Sequence, residues 1–256
     1  MKHLYSIITL LFSFVLVLPA REIRITETAS LDQVYGETIE SKSLLSFNEL
    51  DIEFGYVLYS TEIEVKSEEA VLELENVRDY AVVYLDNELQ GTVSDNNKTL
   101  TLRVSPGKYT LRLYAENIGR ITYGPEILDN SKGLFGRLTL DEEEIENRII
   151  IPLNIKECDV KNLLFDVGNK GRLPSFYKGY FQLESIQNTY LDTPGWGMGE
   201  VWINGKYAGS YWEEEKQQSI QVPGEILLKG KNEIVIFELK NNAQRTLKLS
   251  DQPVFK

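Results

Sequence analysis

From Asp51 to the C-terminus, apolar and polar residues alternate in short runs, and no window carries the 3.6-residue period of an amphipathic helix. With no helices to cover it, a sheet in this chain can bury an apolar face only against another sheet. Tyr56-Val57-Leu58-Tyr59 opens the pattern, and Ala70-Val71-Leu72-Glu73-Leu74 and the β-rich run Ala81 to Leu85 continue it. Leu100, Leu102 and Val104 then alternate with Thr101 and Arg103. Ser105-Pro106-Gly107-Lys108 is a turn, because proline presets φ and glycine accepts positive φ. Tyr109, Leu111, Leu113 and Ala115 follow in alternation. Short strands at this spacing, with turn signals between them, predict an all-β sandwich or barrel.

An internal repeat divides the chain. Val83-Tyr84-Leu85-Asp86-Asn87-Glu88-Leu89-Gln90-Gly91 aligns without a gap to Val201-Trp202-Ile203-Asn204-Gly205-Lys206-Tyr207-Ala208-Gly209. Each copy reads as a strand, a tight Asx-type turn and a second strand ending in glycine. Each is followed by a strand that ends near a proline (Pro106, Pro223), and then by a longer alternating strand, Leu111 to Asn117 and Val235 to Asn241. Three elements in the same order predict two β-sandwich domains of related topology. The expected division is 1–20 as a signal peptide, 21–50 as a polar lead-in or linker, 51–148 as the first domain and 149–256 as the second.

Composition removes several function classes. With 27 basic and 39 acidic side chains the formal net charge is −12, which argues against nucleic acid and against anionic membrane surfaces as partners. The one histidine is His3 and the one cysteine is Cys158, so no intrachain disulfide forms. A histidine-based nucleophile system or zinc site cannot be assembled from what remains once residue 3 is cleaved away. Lys2, the apolar run Ile7 to Leu18 and Pro19-Ala20 before Arg21 read as a secretory signal. The run is short for a bilayer span. The expectation is an exported protein, periplasmic or extracellular, with no stable membrane span after cleavage.

The motifs between these strands carry a family resemblance. Ala115-Glu116-Asn117-Ile118-Gly119-Arg120-Ile121-Thr122-Tyr123-Gly124, then Asp129 and Lys132-Gly133, resemble a signature of glycoside hydrolase family 35 β-galactosidases. Thr189-Tyr190-Leu191-Asp192, Gly195-Trp196-Gly197-Met198-Gly199-Glu200-Val201-Trp202-Ile203-Asn204-Gly205 and Gly209-Ser210-Tyr211-Trp212 resemble a second stretch of the same family. Met198, Ser210 and Thr122 stand where the family usually carries lysine, arginine and asparagine. The similarity runs from about residue 45 to the end. It implies two tandem non-catalytic jelly-roll, galactose-binding-like domains, which in the family follow a (β/α)₈ barrel bearing both catalytic glutamates. Such a barrel needs about 250 residues of alternating strand and helix, and the segment before residue 45 does not contain one. The resemblance also implies that the loop with Arg120 and Tyr123 faces a barrel mouth; the plainer alternative is that the two residues brace a loop of the first sandwich.

Trp196, Trp202 and Trp212 fall in one segment with Tyr207 and Tyr211. Aromatic faces stack on the C–H faces of sugars, so Trp196, Tyr207, Tyr211 and Trp212 are the candidate carbohydrate-binding residues; core and interdomain packing is the competing reading. Retaining glycosidases need two carboxyl groups about 5 Å apart, and no pair in the sequence stands out, so no catalytic residue is assigned. The carboxylate runs at 141–144 and 213–215 leave room for a structural calcium, though a solvated loop is the simpler reading. No other cofactor is expected. The sequence thus predicts an exported protein that is not an enzyme on its own and that docks on a glycosidase barrel in another chain. A free-standing galactoside-binding module and a β-galactosidase are the alternatives.

Overall fold

A computed structural model describes residues 21–117, 131–167, 173–240 and 244–256. The signal-peptide expectation for residues 1–20 therefore lies outside the described residues. Every long element is a strand, and no helix among the described residues is long and apolar enough to cross a membrane.

The first domain is a sandwich. One sheet has six strands in the order β2 (Ile39–Ser41), β11 (Arg148–Leu153), β3 (Gly55–Val65), β8 (Gly107–Asn117), β5 (Tyr80–Leu85) and β6 (Glu88–Ser94). The facing sheet has four, in the order β10 (Glu143–Glu144), β9 (Gly133–Leu140), β4 (Ala70–Arg78) and β7 (Thr99–Leu102). β4 alternates buried and exposed positions: Leu72 and Leu74 enter the core while Val71 and Glu73 meet water, as expected of a sheet wet on one side. β5 differs, because all of its residues are buried. Ala81, Val83 and Leu85 fill the sandwich, and Tyr80, Val82 and Tyr84 pack on the opposite face. β3 divides in the same way, with Val57 and Tyr59 inward and Tyr56 and Leu58 outward. The six-stranded sheet is thus covered on both faces.

What covers its outer face is the second domain. That domain is one continuous sheet wrapped around its own core, in the order β16 (Lys206–Trp212), β15 (Met198–Ile203), β18 (Gly230–Glu238), β13 (Ser175–Leu183), β1 (Arg21–Ser30), β19 (Thr246–Ser250), β14 (Thr189–Asp192) and β17 (Ser219–Val222), with the short β12 (Asp166–Val167) also pairing with β1. Val201, Ile203, Ile234 and Ile236 point into this core, while Met198, Trp202, Val235 and Phe237 point toward the first domain. The two outer faces meet in an apolar seam. Tyr56 meets Phe237 edge-on at 5.4 Å between ring centroids, and the Tyr84 hydroxyl donates to the Leu239 carbonyl at 3.2 Å. At about 1.5–3 kcal/mol for each large apolar side chain taken from water, such a seam binds the sandwiches into one body.

The repeat holds at the level of single residues. In β5–β6, Val83 pairs with Gly91 and Tyr84 with Leu89, so one residue bulges; in β15–β16, Val201 pairs with Gly209 and Trp202 with Tyr207, a bulge at the aligned position. The turns match too: Asp86 (φ 50°) and Asn204 (φ 54°) both take the left-handed conformation that Asx residues accept. Asp86 Oδ1 accepts from Thr110 N–H, and Asn204 Oδ1 accepts from Glu233 N–H.

The stretch 21–50 departs from the expected lead-in. Arg21–Ser30 is an interior strand of the second domain, paired with β13 on one side and β19 on the other. Ile23 and Ile25 lie in the second core, and Leu31 and Val34 of the following 3₁₀ turn lie in the seam. Leu44 and Phe47 belong to the core of the first sandwich. The chain therefore begins its described course in the second domain, crosses the seam to build the first, and returns.

Candidate functional site at the domain seam

The four candidate rings do not form one platform. Trp196 is 1% exposed; its indole N–H donates to the Thr246 carbonyl at 3.0 Å and its ring packs edge-on against Tyr177 and Tyr211 inside the second sandwich. It is a core residue and offers no face to a sugar. Tyr211 is buried beside it, its hydroxyl donating to the Phe237 carbonyl at 2.9 Å and to Glu238 Oε2 at 3.2 Å. Tyr207 is half exposed at the rim of the seam, with its ring edge on Trp202. Trp212 packs against Tyr80 of the first domain at 5.5 Å. Alternation along β15 and β16 sends neighbouring residues to opposite faces of the sheet. That separates Trp196 and Tyr211 from Trp202 and Trp212 despite their closeness in sequence.

Arg120 and Tyr123 lie outside the described residues. The chain on either side of them is firmly held. Asn117 Nδ2 donates to the Glu53 carbonyl at 2.6 Å, and Lys132 N–H donates to Asn48 Oδ1 at 3.1 Å. The Lys132 ammonium, 4% exposed, lies 2.6 Å from Asp79 Oδ1.

The seam also contains a buried carboxyl pair that sequence reasoning missed. Glu200, on the seam-facing side of β15, is fully buried. Its Oε1 accepts from the Tyr56 hydroxyl at 2.9 Å, its Oε2 from the Tyr207 hydroxyl at 2.7 Å, and the Lys156 ammonium lies 3.1 Å from Oε1. Glu116, on β8 between Tyr56 and Tyr80 in register, is 5% exposed. Burial, and then the charge of Glu200, push the Glu116 carboxyl up to about 8. Burial raises Glu200 as well, opposed by the Tyr207 hydrogen bond and Lys156. The signal available in the sequence was one acid, Glu200, inside a strand otherwise apolar on both faces.

Two carboxyls held in different protonation states are what glycoside hydrolysis uses. Here the geometry opposes that use. Both oxygens of Glu200 are occupied and none of its surface is exposed, so no anomeric carbon can approach it. Glu200 instead ties Tyr56 of the first domain to Lys156 and Tyr207 across the seam. Lys156→Met should leave a buried carboxylate without its cation and destabilise the protein by about 2 kcal/mol. Urea unfolding at neutral pH measures this, and Lys156→Met/Glu200→Gln should recover most of the loss. A change below about 0.5 kcal/mol, the scatter of neutral surface substitutions, would show that the pair does not support the seam.

The carboxylate runs are engaged locally: Asp141 Oδ1 accepts from Val71 N–H, Glu143 pairs with Lys66, and Glu213 with Lys240. Among the described residues no group of three or more His, Cys, Asp or Glu side chains is placed to hold a metal ion. Cys158 is half-buried against the seam, where burial pushes its thiol up to about 11.

The domain architecture agrees with what the chain is similar to. Residues 45–154 match the family described as beta-galactosidase, first all-beta domain, and residues 174–232 match the beta-galactosidase galactose-binding domain. The chain belongs to the β-galactosidase family through these two all-β domains. It is 34% identical to the beta-galactosidase of Bos taurus over 85% of this chain and 38% of that protein. It is 30% identical to the human beta-galactosidase-1-like protein 2 over 79% of this chain and 33% of that protein. With the human beta-galactosidase it shares 34% identity over 79% of its own length and 33% of the relative's. The chain thus spans about a third of the length of the curated relatives it matches.

Proposed function

We propose that this β-galactosidase-family chain is an exported, non-catalytic docking body for a glycosidase catalytic barrel of the family 35 type. The observation that supports it is the double-sided burial of the six-stranded sheet. Its inner face packs the first sandwich and its outer face packs the second domain, so both domains move as one unit. A unit of this kind holds a constant surface toward a partner. It carries the family's tail domains, and the buried Glu200 carboxyl is closed to substrate. On this reading the protein alone does not hydrolyse β-galactosides, and its chemistry is that of a partner.

The test is light scattering after size exclusion, with the protein mixed with a family 35 barrel expressed without its own tail domains. A stable complex of defined stoichiometry is expected. Independent elution of the two proteins at micromolar concentrations, together with hydrolysis of a chromogenic β-galactoside by this chain alone, would overturn the proposal.

A further inference from the structure

Strands β16 and β17 are joined by a corner, residues 212–217, that closes over Glu116 of the first domain. Tyr211 before the corner is buried, its hydroxyl bonded to the Phe237 carbonyl and to Glu238, and Gln218 after it is buried too. Between these fixed points Glu214, Glu215, Lys216 and Gln217 are exposed. The corner carries its own bracing, because Gln218 Nε2 donates to the carbonyls of Trp212, Glu213 and Glu215 at 3.2, 3.3 and 2.6 Å. It can therefore swing without losing its shape. The bonds that hold it down are the Lys240–Glu213 pair, the Glu213 N–H to the Gly197 carbonyl at 2.7 Å, and two from Lys256 to the carbonyls of Glu213 and Lys216, each at 2.8 Å.

Hydrogen bonding is incomplete where the corner meets the first domain. Glu116 Oε2, Trp212 Nε1 and the Tyr80 hydroxyl are buried without a partner, three of the four such side-chain atoms among the described residues. Each retains its desolvation cost, so closure is less favourable here than elsewhere in the seam. A cleft of about 300 Å³, lined by Glu116, Trp212, Glu215 and Gln217 among others, leaves the corner room to move.

The surroundings of Glu116 suit a neutral carboxyl and not a charged one. Across the seam it faces Glu200 of β15, and Glu215 of the corner lines the same cleft. Asp79, just before β5, acts on it from the first domain. The nearby cations are engaged: Lys156 with Glu200, and Lys132 with Asp79. The Tyr56 and Tyr207 hydroxyls donate to Glu200, and Tyr80, opposite Glu116 in register, leaves its hydroxyl unbonded. Water cannot hydrate Glu116 Oε2 while the corner is closed, because that atom has no appreciable accessible surface. We propose that the corner 212–217 is a lid over Glu116 whose opening is coupled to release of the Glu116 proton to solvent, so that pH sets how often it opens. Opening hydrates the carboxylate and gives the Trp212 indole and the Tyr80 hydroxyl water partners. The proposal is independent of docking on a barrel, because it concerns the isolated protein.

Hydrogen exchange of the native protein, read by mass spectrometry on a peptide covering 212–218 and corrected for intrinsic exchange rates, tests it. One proton released on opening makes the opening constant rise tenfold per pH unit between the ordinary carboxyl value of 4.5 and the closed-state value of about 8. Protection of the corner should therefore fall about a hundredfold from pH 5.5 to pH 7.5. Glu116→Gln, which has no proton to release, should remove that dependence. Peptides from β13 and β18 should stay better protected than the corner at every pH, since they exchange only when the whole domain opens. Three results would overturn the proposal: corner protection that does not change with pH, the same dependence in Glu116→Gln, or protection of the corner equal to that of β13 and β18 throughout.

Discussion

Removal of residues 21–30 is expected to unfold the second domain while leaving the first sandwich core assembled. These residues form β1, which pairs with β13 along one edge and β19 along the other. Without it the sheet divides, two rows of backbone groups lose their partners, and the core space filled by Ile23 and Ile25 empties. The combined loss exceeds the lower part of the stability range of a domain, about 5–15 kcal/mol. All three tryptophans, Trp196, Trp202 and Trp212, lie in the second domain, so their emission reports on it selectively. The expected result is a red-shifted spectrum and loss of the cooperative fluorescence transition. A synthetic peptide of residues 21–30 added in trans should reverse part of both. Unchanged emission and an unchanged melting temperature would show that β1 is dispensable and that the segment is the lead-in its composition suggested.

The second large effect concerns pH. In the folded protein Glu116 faces Glu200 and Tyr56, with Lys156 and Asp79 also acting on it, and its carboxyl is pushed up to about 8 from an ordinary value of 4.5. Between those two values the folded chain holds a proton that the unfolded chain has released. The stabilisation is therefore full below about pH 4.5 and is lost as pH rises through about 8. The loss is on the order of 5 kcal/mol at mildly alkaline pH. Glu116→Gln supplies a neutral group of the same shape that never ionises. Its stability should be close to the parent's near pH 5 and higher by that amount near pH 8.5, as read from urea midpoints at a series of pH values. Glu200 and Glu238 are also raised by burial and remain in both proteins, so the difference between the two curves reports Glu116 together with its coupling to Glu200. Parallel curves across this window would contradict the assignment.

Much of the fold was legible in the residues. The alternation of β4 and the double-sided apolar character of β5 are visible as written, and the hairpin repeat predicted equivalent turns; the matching bulges at Val83 and Val201 emerge only in the structure. β1 was not legible. Only Ile23 and Ile25 mark its inner face, and its partners, at 175–183 and 246–250, lie at the far end of the chain. Pairing at such separation leaves no local signal. The aromatic segment misled for a related reason. Nearness in sequence suggested one surface, but successive strand residues face opposite ways, and which face becomes a core and which a seam is decided by the other domain. The Glu116–Glu200 pair was hidden for the same reason, since each acid sits in its own strand and they meet only when the sandwiches do.

The proposed docking of this chain on a glycosidase catalytic barrel has a direct functional consequence. The most direct measurement is β-galactoside turnover by a family 35 barrel lacking its own tail domains, recorded as this protein is titrated in. No turnover by this protein alone is expected, with a saturable rise in barrel activity and half-life as it is added. Activity of the barrel that stays the same at every concentration of this protein would contradict it.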